Sequence, residues 1–354
     1  MLDLDLLRHA RRALLPLPLL DRPQKLSSDV FQPFRHRPAS ALAGRRVAVV
    51  ASGGAGAAVS LIGAARAFEE ADLQPELISG CSGGAMFGSL WAAGMSAQEM
   101  ADFVLAWQPE RYLDVQWLRL PGFALSALRG FTGAMKGDAV QRLFDERFGG
   151  LTAGELPIPL ATIVYNTDLG LTEYFGTHGT PEVSIGRLVR IAIALPVFIE
   201  SVEVRGHLYV DGGLIELLPF QPAIEHGPFD HVFGINFMLP AGLEPDDITG
   251  WQQKPMGIVR ASRTLQQAYH VEFARRARQE LGDALTIVDA ADPGFCRGAW
   301  LYDLFLDRSK WPELIRSGYE RTTEALAPRR RRVPRSNGRA RAAAASGGSD
   351  TGGR

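Results

Sequence analysis

The stretch Gly80-Cys81-Ser82-Gly83-Gly84 decides how the rest of the chain is interpreted. An apolar run ending at Ser79 precedes it, and a run typical of a helix, Ala85 to Trp91, follows it. This order predicts a strand, a sharp turn and a helix, which is the setting of a Gly-x-Ser-x-Gly nucleophile elbow. Such a strained turn requires very small neighbours, and Gly80, Gly83 and Gly84 meet that requirement. The pattern therefore predicts that Ser82 is a nucleophile.

The composition is that of a globular protein with a sizeable core. The 354 residues are 46% hydrophobic and 22% charged, enough for one large domain or two small ones. The formal net charge is −1, but the segment from Pro328 onward carries eight arginines and one aspartate. The remaining chain is therefore mildly acidic, which argues against binding to nucleic acid.

The two cysteines, Cys81 and Cys296, form no disulfide framework and fit a reducing compartment. Cys and His residues do not have the spacing of metal ligands, so no metal is expected. No apolar run approaches the ~18 residues that indicate a membrane span. The N-terminus lacks the pattern of a signal peptide. We expect a cytoplasmic protein.

Three regions are predicted along the chain. Residues 1–43 form an N-terminal arm whose short leucine-rich stripe is broken by prolines. Residues 44–327 form the main domain. Residues 328–354, rich in Arg, Ala, Gly and Ser, are predicted to be a disordered tail. The run Arg329–Arg332 could touch acidic lipid or RNA, but a solubilising tail is the favoured interpretation.

Buried strands and helices alternate through the main domain. Apolar, β-branched runs predict strands at 45–51, 76–80, 159–165, 172–175, 207–210, 231–237 and 285–289. Helical patterns predict helices at 83–93, 97–107, 138–148, 185–195, 257–281 and within 300–326, and one more helix ends near Glu70. Ser96 with Glu99 predicts a capping box, and Pro312 indicates a helix start. The order predicts a three-layer α/β/α fold with a central, mostly parallel sheet.

A glycine-rich loop, Gly53-Gly54-Ala55-Gly56, lies between the first strand and its helix. Backbone N–H groups at such a position can bind a phosphate or an oxyanion. The loop lacks the third glycine of a dinucleotide site and the Lys-Ser/Thr pair of a P-loop. Because a serine elbow follows closely, the oxyanion hole is the better interpretation; each donor there is worth roughly 3–4 kcal/mol.

Asp211-Gly212-Gly213 follows the short strand at 207–210. Alone, Asp-Gly is most often a turn. Together, however, the glycine-rich loop, the elbow and this motif resemble the patatin-like phospholipase family over about residues 45–240. The segment from Ala194-Leu195-Pro196 to Leu218-Pro219 is also similar to that family, as are Leu156–Leu160 and Asn166-Thr167-Asp168.

The resemblance implies a lipid acyl hydrolase with a Ser-Asp dyad. In such an enzyme Ser82 is the nucleophile, Asp211 is the general base, and the N–H groups of Gly53, Gly54 and Ala55 hold the oxyanion. It implies a lipid or phospholipid substrate with peripheral membrane contact, no metal or organic cofactor, and no obligate protein partner. An aspartate needs a dry site for this role, because a pKa near 3.9 makes a poor base.

The glycine-rich loop departs from the family pattern at three positions. The third glycine is Ala55, the basic residue is Ala57, and the last glycine is Ala58. If position 55 requires a positive φ, alanine costs about 1 kcal/mol there. These changes weaken the prediction of high activity more than the prediction of the fold.

Other functions remain open from the sequence. An α/β-hydrolase triad would need a late histidine, and His226, His231 and His270 are available. A patatin-like fold used only for lipid binding would explain the altered loop. Cys81 is a weaker nucleophile candidate, since an elbow exposes its middle residue. Residues 113–136 crowd large apolar side chains between glycines and prolines, which favours either core packing or an acyl-binding lid.

Overall fold

The computed structural model describes residues 27, 29–33, 42–116, 130–238, 250–253, 257–291 and 308–327. Its strands are β1 (Val47–Ala51), β2 (Leu77–Gly80), β3 (Gly133–Met135), β4 (Leu160–Asn166), β5 (Leu171–Gly176), β6 (Val197–Ile199), β7 (Val202–Val204), β8 (His207–Asp211), β9 (His231–Asn236) and β10 (Leu285–Asp289). Its α-helices are α1 (Ser60–Glu70), α2 (Gly83–Ala92), α3 (Ala97–Leu105), α4 (Pro109–Tyr112), α5 (Asp138–Phe148), α6 (Ile185–Ala192), α7 (Gln221–Glu225), α8 (Gly257–Leu281) and α9 (Trp311–Leu326).

Eight of the described strands form one large mixed sheet in the order β10-β9-β1-β2-β4-β8-β7, with β5 also paired to β4, and β3 pairs with β6 in a separate two-stranded sheet. Strands β10, β9, β1, β2 and β4 run parallel to one another. Strands β5, β8 and β7 pair antiparallel at the β4 side of the sheet. The mostly parallel central sheet predicted from the sequence is therefore confirmed.

Strand β1 shows why the fold has three layers. Its side chains alternate between two cores, as the period of a strand requires. Val47, Val49 and Ala51 pack in the larger core with side chains of α1, α2 and α9. Ala48 and Val50 pack in a smaller core with residues of α7 and α8. Helices thus cover both faces of the sheet, as predicted.

Most of the long elements begin and end near their predicted bounds. The capping box predicted at Ser96 is present: the Glu99 backbone N–H donates to the Ser96 hydroxyl at 3.3 Å, and the Ser96 N–H donates to the Glu99 carboxylate at 2.9 Å. Pro312 lies in the first turn of α9, as expected. Helix α6 ends at Ala192, three residues before the predicted end, and an irregular segment leads to Pro196.

Short elements were not predicted. Strands β3, β6 and β7 have three residues each, too few for hydrophobic periodicity to be read. A 3-10 helix at Ala55–Val59 precedes α1. The tail from residue 328, residues 117–129 of the apolar stretch at 113–136 and most of the predicted N-terminal arm lie outside the described residues. In the described ranges, no helix combines the length and the apolar character needed to cross a membrane.

Candidate active site

The predicted strand, turn and helix surround Ser82. Strand β2 ends at Gly80, helix α2 begins at Gly83, and Ser82 lies between them with φ 49° and ψ −122°. Residues other than glycine rarely adopt a positive φ, and those that do are concentrated at functional sites. The N–H groups of the first turn of α2 lie directly after Ser82, where they favour negative charge.

The elbow packs directly against the glycine-rich loop. A Cβ atom on Gly84 would lie 2.3 Å from the carbonyl oxygen of Ser52, and one on Gly83 would lie 2.6 Å from that of Ala55. Gly80 has a similar role beneath the first turn of α2, where an added Cβ would lie 2.7 Å from the backbone of the helix. Any side chain at these positions would push the loop or the helix away from Ser82.

Strand β8 brings Asp211 to the same place. Asp211 pairs with Val164 of β4, and its backbone N–H donates to the carbonyl of Ala194 at 3.0 Å. Its side chain is buried. The carboxylate oxygen Oδ1 accepts the N–H of Gly213 at 2.8 Å, and an interaction with the Ser82 side chain acts to lower the pKa of the carboxyl group. The structure therefore brings together the two residues that the sequence singled out.

Burial changes the acidity of Asp211. Desolvation raises the pKa of its carboxyl group to about 6, although hydrogen bonds from Ser82, Gly213 and Cys81 act in the opposite direction. A carboxylate with this pKa is a better proton acceptor than an ordinary aspartate and is still ionised at neutral pH. The dry setting that a Ser-Asp pair requires is present.

Close packing also explains the two glycines after Asp211. A Cβ atom on Gly212 would lie 2.8 Å from the Ile163 side chain, and one on Gly213 would lie 2.8 Å from Sγ of Cys81. The Asp211-Gly212-Gly213 segment can therefore lie between β4 and the elbow only because these two positions lack side chains.

The glycine-rich loop differs from expectation at Gly53. The N–H of Gly53 donates to the carbonyl of Leu217 at 2.9 Å, so it is already engaged. Among the described residues, the N–H groups of Gly54 and Ala55 have no such acceptor. The segment after Asp211 therefore already engages the Gly53 N–H, and the oxyanion role expected of Gly53, Gly54 and Ala55 stays a prediction.

Ala55 has a φ of 45°. Position 55 therefore has the positive φ at which an alanine was expected to strain the loop, and the cost is about 1–2 kcal/mol. The strain is local, since the next turn is regular: within the 3-10 helix that begins at Ala55, the Ala57 N–H donates to the carbonyl of Gly54 at 2.9 Å. The backbone nitrogen of Ala55 lies beside the elbow, 3.3 Å from where a Cβ atom on Gly83 would stand.

Sequence reasoning did not find the pair Tyr174 and Glu216. The Tyr174 hydroxyl donates to Glu216 at 3.1 Å, and the Phe220 N–H donates to the same carboxylate at 3.3 Å. Burial raises the pKa of both side chains. These bonds attach the segment after Asp211 to strand β5. Only tertiary pairing joins the two residues, so no local pattern could have signalled them.

The described histidines do not complete a triad. His231 begins β9, at the end of the sheet opposite to Ser82, and contacts Thr286 at 2.9 Å. His270 is buried in α8, where desolvation lowers its pKa to about 4. His226 is exposed, and its ring contacts that of His178. Among the described residues, no histidine is hydrogen-bonded to Asp211 or Ser82.

Within the ranges that the structure describes, His, Cys, Asp and Glu side chains form no group of three that could hold a metal ion.

A second feature lies on the segments that adjoin Asp211 in the chain or through backbone pairing. Six large apolar side chains of these segments are exposed; we call them the apolar rim, and they are Leu169, Leu171, Val197, Phe198, Leu214 and Ile215. Leu214 and Ile215 directly follow the Asp211 motif. Val197 and Phe198 follow Ala194, whose carbonyl accepts a hydrogen bond from the backbone N–H of Asp211. Leu169 and Leu171 lie at the β4–β5 turn, beyond the point where Asp211 pairs with β4.

The comparison with known families agrees with this geometry. The family model described as patatin-like phospholipase matches residues 49–224, which contain the last three residues of β1, the elbow and the Asp211 motif. The chain carries a patatin-like phospholipase domain. The resemblance inferred from the motifs is thus confirmed.

Curated relatives match the patatin-like domain over part of their length. A stretch of 218 residues, 59% of this chain, is 25% identical to the neuropathy target esterase sws of Drosophila melanogaster. A stretch of 182 residues, 50% of this chain, is 27% identical to the same protein of Drosophila grimshawi. The matched stretches span only 14% and 12% of those two proteins, which are much longer than this chain.

Solved structures resemble the fold at lower identity. VipD from Legionella pneumophila has a TM-score of 0.47 and 16% identity, covering 80% of this chain and 66% of that one. Human GIVD cytosolic phospholipase A2, solved with methyl gamma-linolenyl fluorophosphonate, has a TM-score of 0.43 and 13% identity, covering 80% and 58%.

Proposed function

We propose that this protein hydrolyses carboxylic esters of lipids, with Ser82 as nucleophile and Asp211 as general base. One observation carries the proposal: a strained serine at an elbow interacts with a buried aspartate whose pKa is raised to about 6. Membership of the patatin-like phospholipase family and similarity to an esterase support hydrolysis of a lipid ester.

Acylation uses the contact between the two side chains. The Ser82 oxygen attacks the ester carbonyl carbon while its proton passes to the Asp211 carboxylate. The carbonyl oxygen becomes negative in the tetrahedral intermediate. When the intermediate collapses, the bond to the alcohol breaks and protonated Asp211 returns the proton to the leaving alkoxide. An acyl group then remains on Ser82.

Backbone N–H groups stabilise the developing oxyanion. We assign this role to Gly54 and Ala55, whose N–H groups have no backbone acceptor among the described residues, and to Gly83 at the start of α2. An elbow commonly uses the residue after its nucleophile in this way, together with a separate loop. Gly53 contributes indirectly, since its bond to Leu217 fixes the loop.

Deacylation repeats the same proton transfers with water. Asp211 accepts a proton from a water molecule, whose oxygen attacks the acyl carbon. The intermediate collapses, Ser82 leaves as the alkoxide and receives the proton from Asp211, and a carboxylic acid is released. Because Asp211 must be ionised at the start of each half-reaction, activity should fall as the pH drops below about 6.

The apolar rim supports a lipid as substrate. Val197 is 63% exposed, and Leu214, three residues after the buried Asp211, is 48% exposed. Acyl chains and a membrane surface are partners that apolar side chains in such a position could contact. We propose peripheral contact with lipid through this rim.

A catalytically weak lipid-binding protein is the second candidate. The observation that favours it is the positive φ of Ala55, which strains the loop that would hold the oxyanion. Turnover measurements on the purified protein separate the two functions, since a binding protein would retain lipid without hydrolysing it.

The test compares hydrolysis of a short soluble ester and of phospholipid vesicles by the wild type, Ser82→Ala and Asp211→Asn. We expect both variants to melt as folded proteins and to lose more than about 1000-fold in kcat/KM. Matched controls are His207→Ala, His226→Ala, His231→Ala and His270→Ala. Those that remain folded should retain substantial activity.

Two results would contradict the proposal. Full turnover by Ser82→Ala would exclude Ser82 as the nucleophile. A loss above about 1000-fold in a folded histidine variant would indicate a triad instead of a Ser-Asp pair.

A further inference from the structure

Cys81 lies at the point where the three motif stretches meet. It directly precedes Ser82, and its side chain is completely buried. Its Sγ atom lies 3.6 Å from Oδ1 of Asp211, within the range of a hydrogen bond from sulfur. The same carboxylate oxygen accepts the N–H of Gly213 at 2.8 Å. Two donors therefore converge on one oxygen of the proposed base.

The space around the thiol is shaped to hold it there. A Cβ atom on Gly213 would lie 2.8 Å from Sγ, and one on Gly53 would lie 3.3 Å from it. The glycine-rich loop and the Asp211 motif therefore approach the thiol from two directions. A side chain at either glycine would displace the sulfur from the carboxylate.

The thiol keeps its proton. Burial and the neighbouring carboxylates of Asp211 and Glu216 raise the pKa of Cys81 well above its usual value. Glu216 faces the cluster from the segment after Asp211, and Tyr174 faces it from β5 while donating to Glu216. A protonated thiol can only act on Asp211 as a donor, and not as a competing base or nucleophile.

We propose that Cys81 is a positioning residue for Asp211: its S–H group and the Gly213 N–H together hold Oδ1. Neither donor contacts Oδ2, so the carboxylate is kept in one orientation with that oxygen available to the Ser82 hydroxyl. This role rests on the proposed function, in which Asp211 is the base.

A positioning bond of this kind stabilises the ionised form of Asp211. Removing this bond should raise the pKa of the Asp211 carboxyl group further. One of the hydrogen bonds that lower the pKa against the effect of burial is then lost. The group is active when ionised, so the acid limb of the pH–activity profile should move to higher pH. Loss of packing alone would lower the rate at every pH without moving that limb.

The experiment measures the pH dependence of kcat/KM for a short soluble ester, together with the rate at which a fluorophosphonate labels Ser82. The variants are Cys81→Ala, which removes the donor, and Cys81→Ser, which restores a donor. Ser89→Ala is the matched control, since Ser89 is a small buried residue of α2 whose hydroxyl donates to Met86 at 2.8 Å, away from Asp211.

We expect the acid limb of Cys81→Ala to rise by about 0.5–1 pH unit, for both hydrolysis and labelling. At pH values below the limb this corresponds to a loss of about 3–10-fold. Cys81→Ser should return the limb toward the wild-type position, and Ser89→Ala should leave it unchanged.

An unmoved acid limb in folded Cys81→Ala would overturn the inference, as would a Cys81→Ser profile identical to that of Cys81→Ala. Failure of the proposed function gives a different result, because Ser82→Ala would then still hydrolyse the ester and still be labelled.

A second measurement keeps Cys81 in place, so that it tests the inference even if the Cys81 variants do not fold. In Cys296→Ala, Cys81 is the only thiol of the chain, so the infrared S–H band reports it alone. We expect that band to shift over the same pH range as the activity, and not in the double variant Cys296→Ala/Asp211→Asn. An S–H band that does not shift with pH in either protein would also overturn the inference.

Discussion

The packed corner around Ser82 and the apolar rim beside it are built on opposite principles. In the corner, formed by residues 52–55, 80–84 and 211–213, an added Cβ atom would lie as close as 2.3 Å to the backbone. In the rim, Val197 is 63% exposed and Leu169 is 56% exposed. The corner can therefore tolerate almost no change in volume, whereas the rim contributes little to packing.

The two regions meet within one short segment. Asp211 is 1% exposed, and Leu214, three residues later, is 48% exposed. The close backbone approaches of Gly212 and Gly213 separate them. Proposed chemistry and proposed lipid contact thus share a segment but differ in what a substitution should do, and free energies of unfolding can measure that difference.

The largest effect is expected at Gly84. In Gly84→Ala the new methyl group would meet the carbonyl oxygen of Ser52 at 2.3 Å, so the loop or the helix must shift. We expect the free energy of unfolding to fall by about 3 kcal/mol, measured by chemical denaturation. Ester hydrolysis should fall as well, since the same shift displaces the loop.

Gly88→Ala is the control for that change. It lies in the same helix, but its methyl group would meet side chains and not backbone, the nearest being that of Ile78 at 3.1 Å. Its stability should stay close to that of the wild type. Equal losses in the two variants would show that helix α2 as a whole, and not the corner, resists substitution.

The next effect concerns the charge of Asp211. A carboxyl pKa raised to about 6 means that the folded state favours the protonated form, so the ionised form lowers stability as the pH rises from about 4 to 6. Asp211→Asn removes this cost. We expect it to be more stable than the wild type by about 2–3 kcal/mol at pH 8, with the difference vanishing near pH 4.

Denaturation curves at several pH values test this prediction. The sign is decisive, because a carboxyl group with a lowered pKa would give the opposite trend. A variant that is less stable than the wild type at pH 8 and equally so at pH 4 would show that the hydrogen bonds of Asp211 outweigh its burial.

A smaller effect is expected at Ala55. Glycine tolerates a φ of 45° without the strain that alanine incurs, although it gains freedom in the unfolded chain. Ala55→Gly should therefore raise the free energy of unfolding by about 0.5–1 kcal/mol. Thermal denaturation measures the change. Ala57→Gly, in the same 3-10 helix, is the control and should lower stability.

If Ala55→Gly is neutral or destabilising, the strain assigned to this loop is wrong. A gain in kcat together with the gain in stability would favour the enzyme over the binding protein, since the loop would then be limiting the oxyanion site.

The smallest change in stability is expected in the apolar rim. Phe198→Ser and Ile215→Ser should alter the free energy of unfolding by less than about 0.5 kcal/mol, because both side chains are at least 40% exposed. Hydrolysis of long-chain lipid in vesicles should nevertheless fall, while hydrolysis of a short soluble ester is kept. Vesicle and ester assays on the same preparations provide the measurement.

Tyr269→Ser is the matched control for the rim, since Tyr269 is 62% exposed on α8. It should leave both activities unchanged. Variants of the rim that melt early, or that lose both activities together, would show that these side chains stabilise the corner instead of contacting lipid.

The sequence predicted the scaffold because the long elements have strong patterns. The run at Val47–Ala51 is apolar on both faces, and the structure buries it between two helical layers. Strands β3, β6 and β7 were missed since three residues form no period. The antiparallel pairing of β8 with β4 positions Asp211 in the sheet, and no local sequence pattern indicates this pairing either.

The site was only partly predictable, for the same reason. Ser82 follows from a local motif, and Asp211 was singled out by family resemblance and not by spacing. The use of the Gly53 N–H by Leu217 depends on tertiary pairing, as do the contact of Cys81 with Asp211 and that of Tyr174 with Glu216. Burial of Asp211 was an expected requirement, but the resulting shift of its pKa needed the structure.

The separation of the two halves of the site along the chain has a consequence for synthesis on the ribosome. Cys81, beside Ser82, and Asp211 are 130 positions apart in sequence, and they come together only when β8 pairs with β4. Such long-range contacts form late in folding. A nascent chain that has completed the elbow would still lack its base, so we expect the growing polypeptide to be inert toward lipid until most of the domain has emerged.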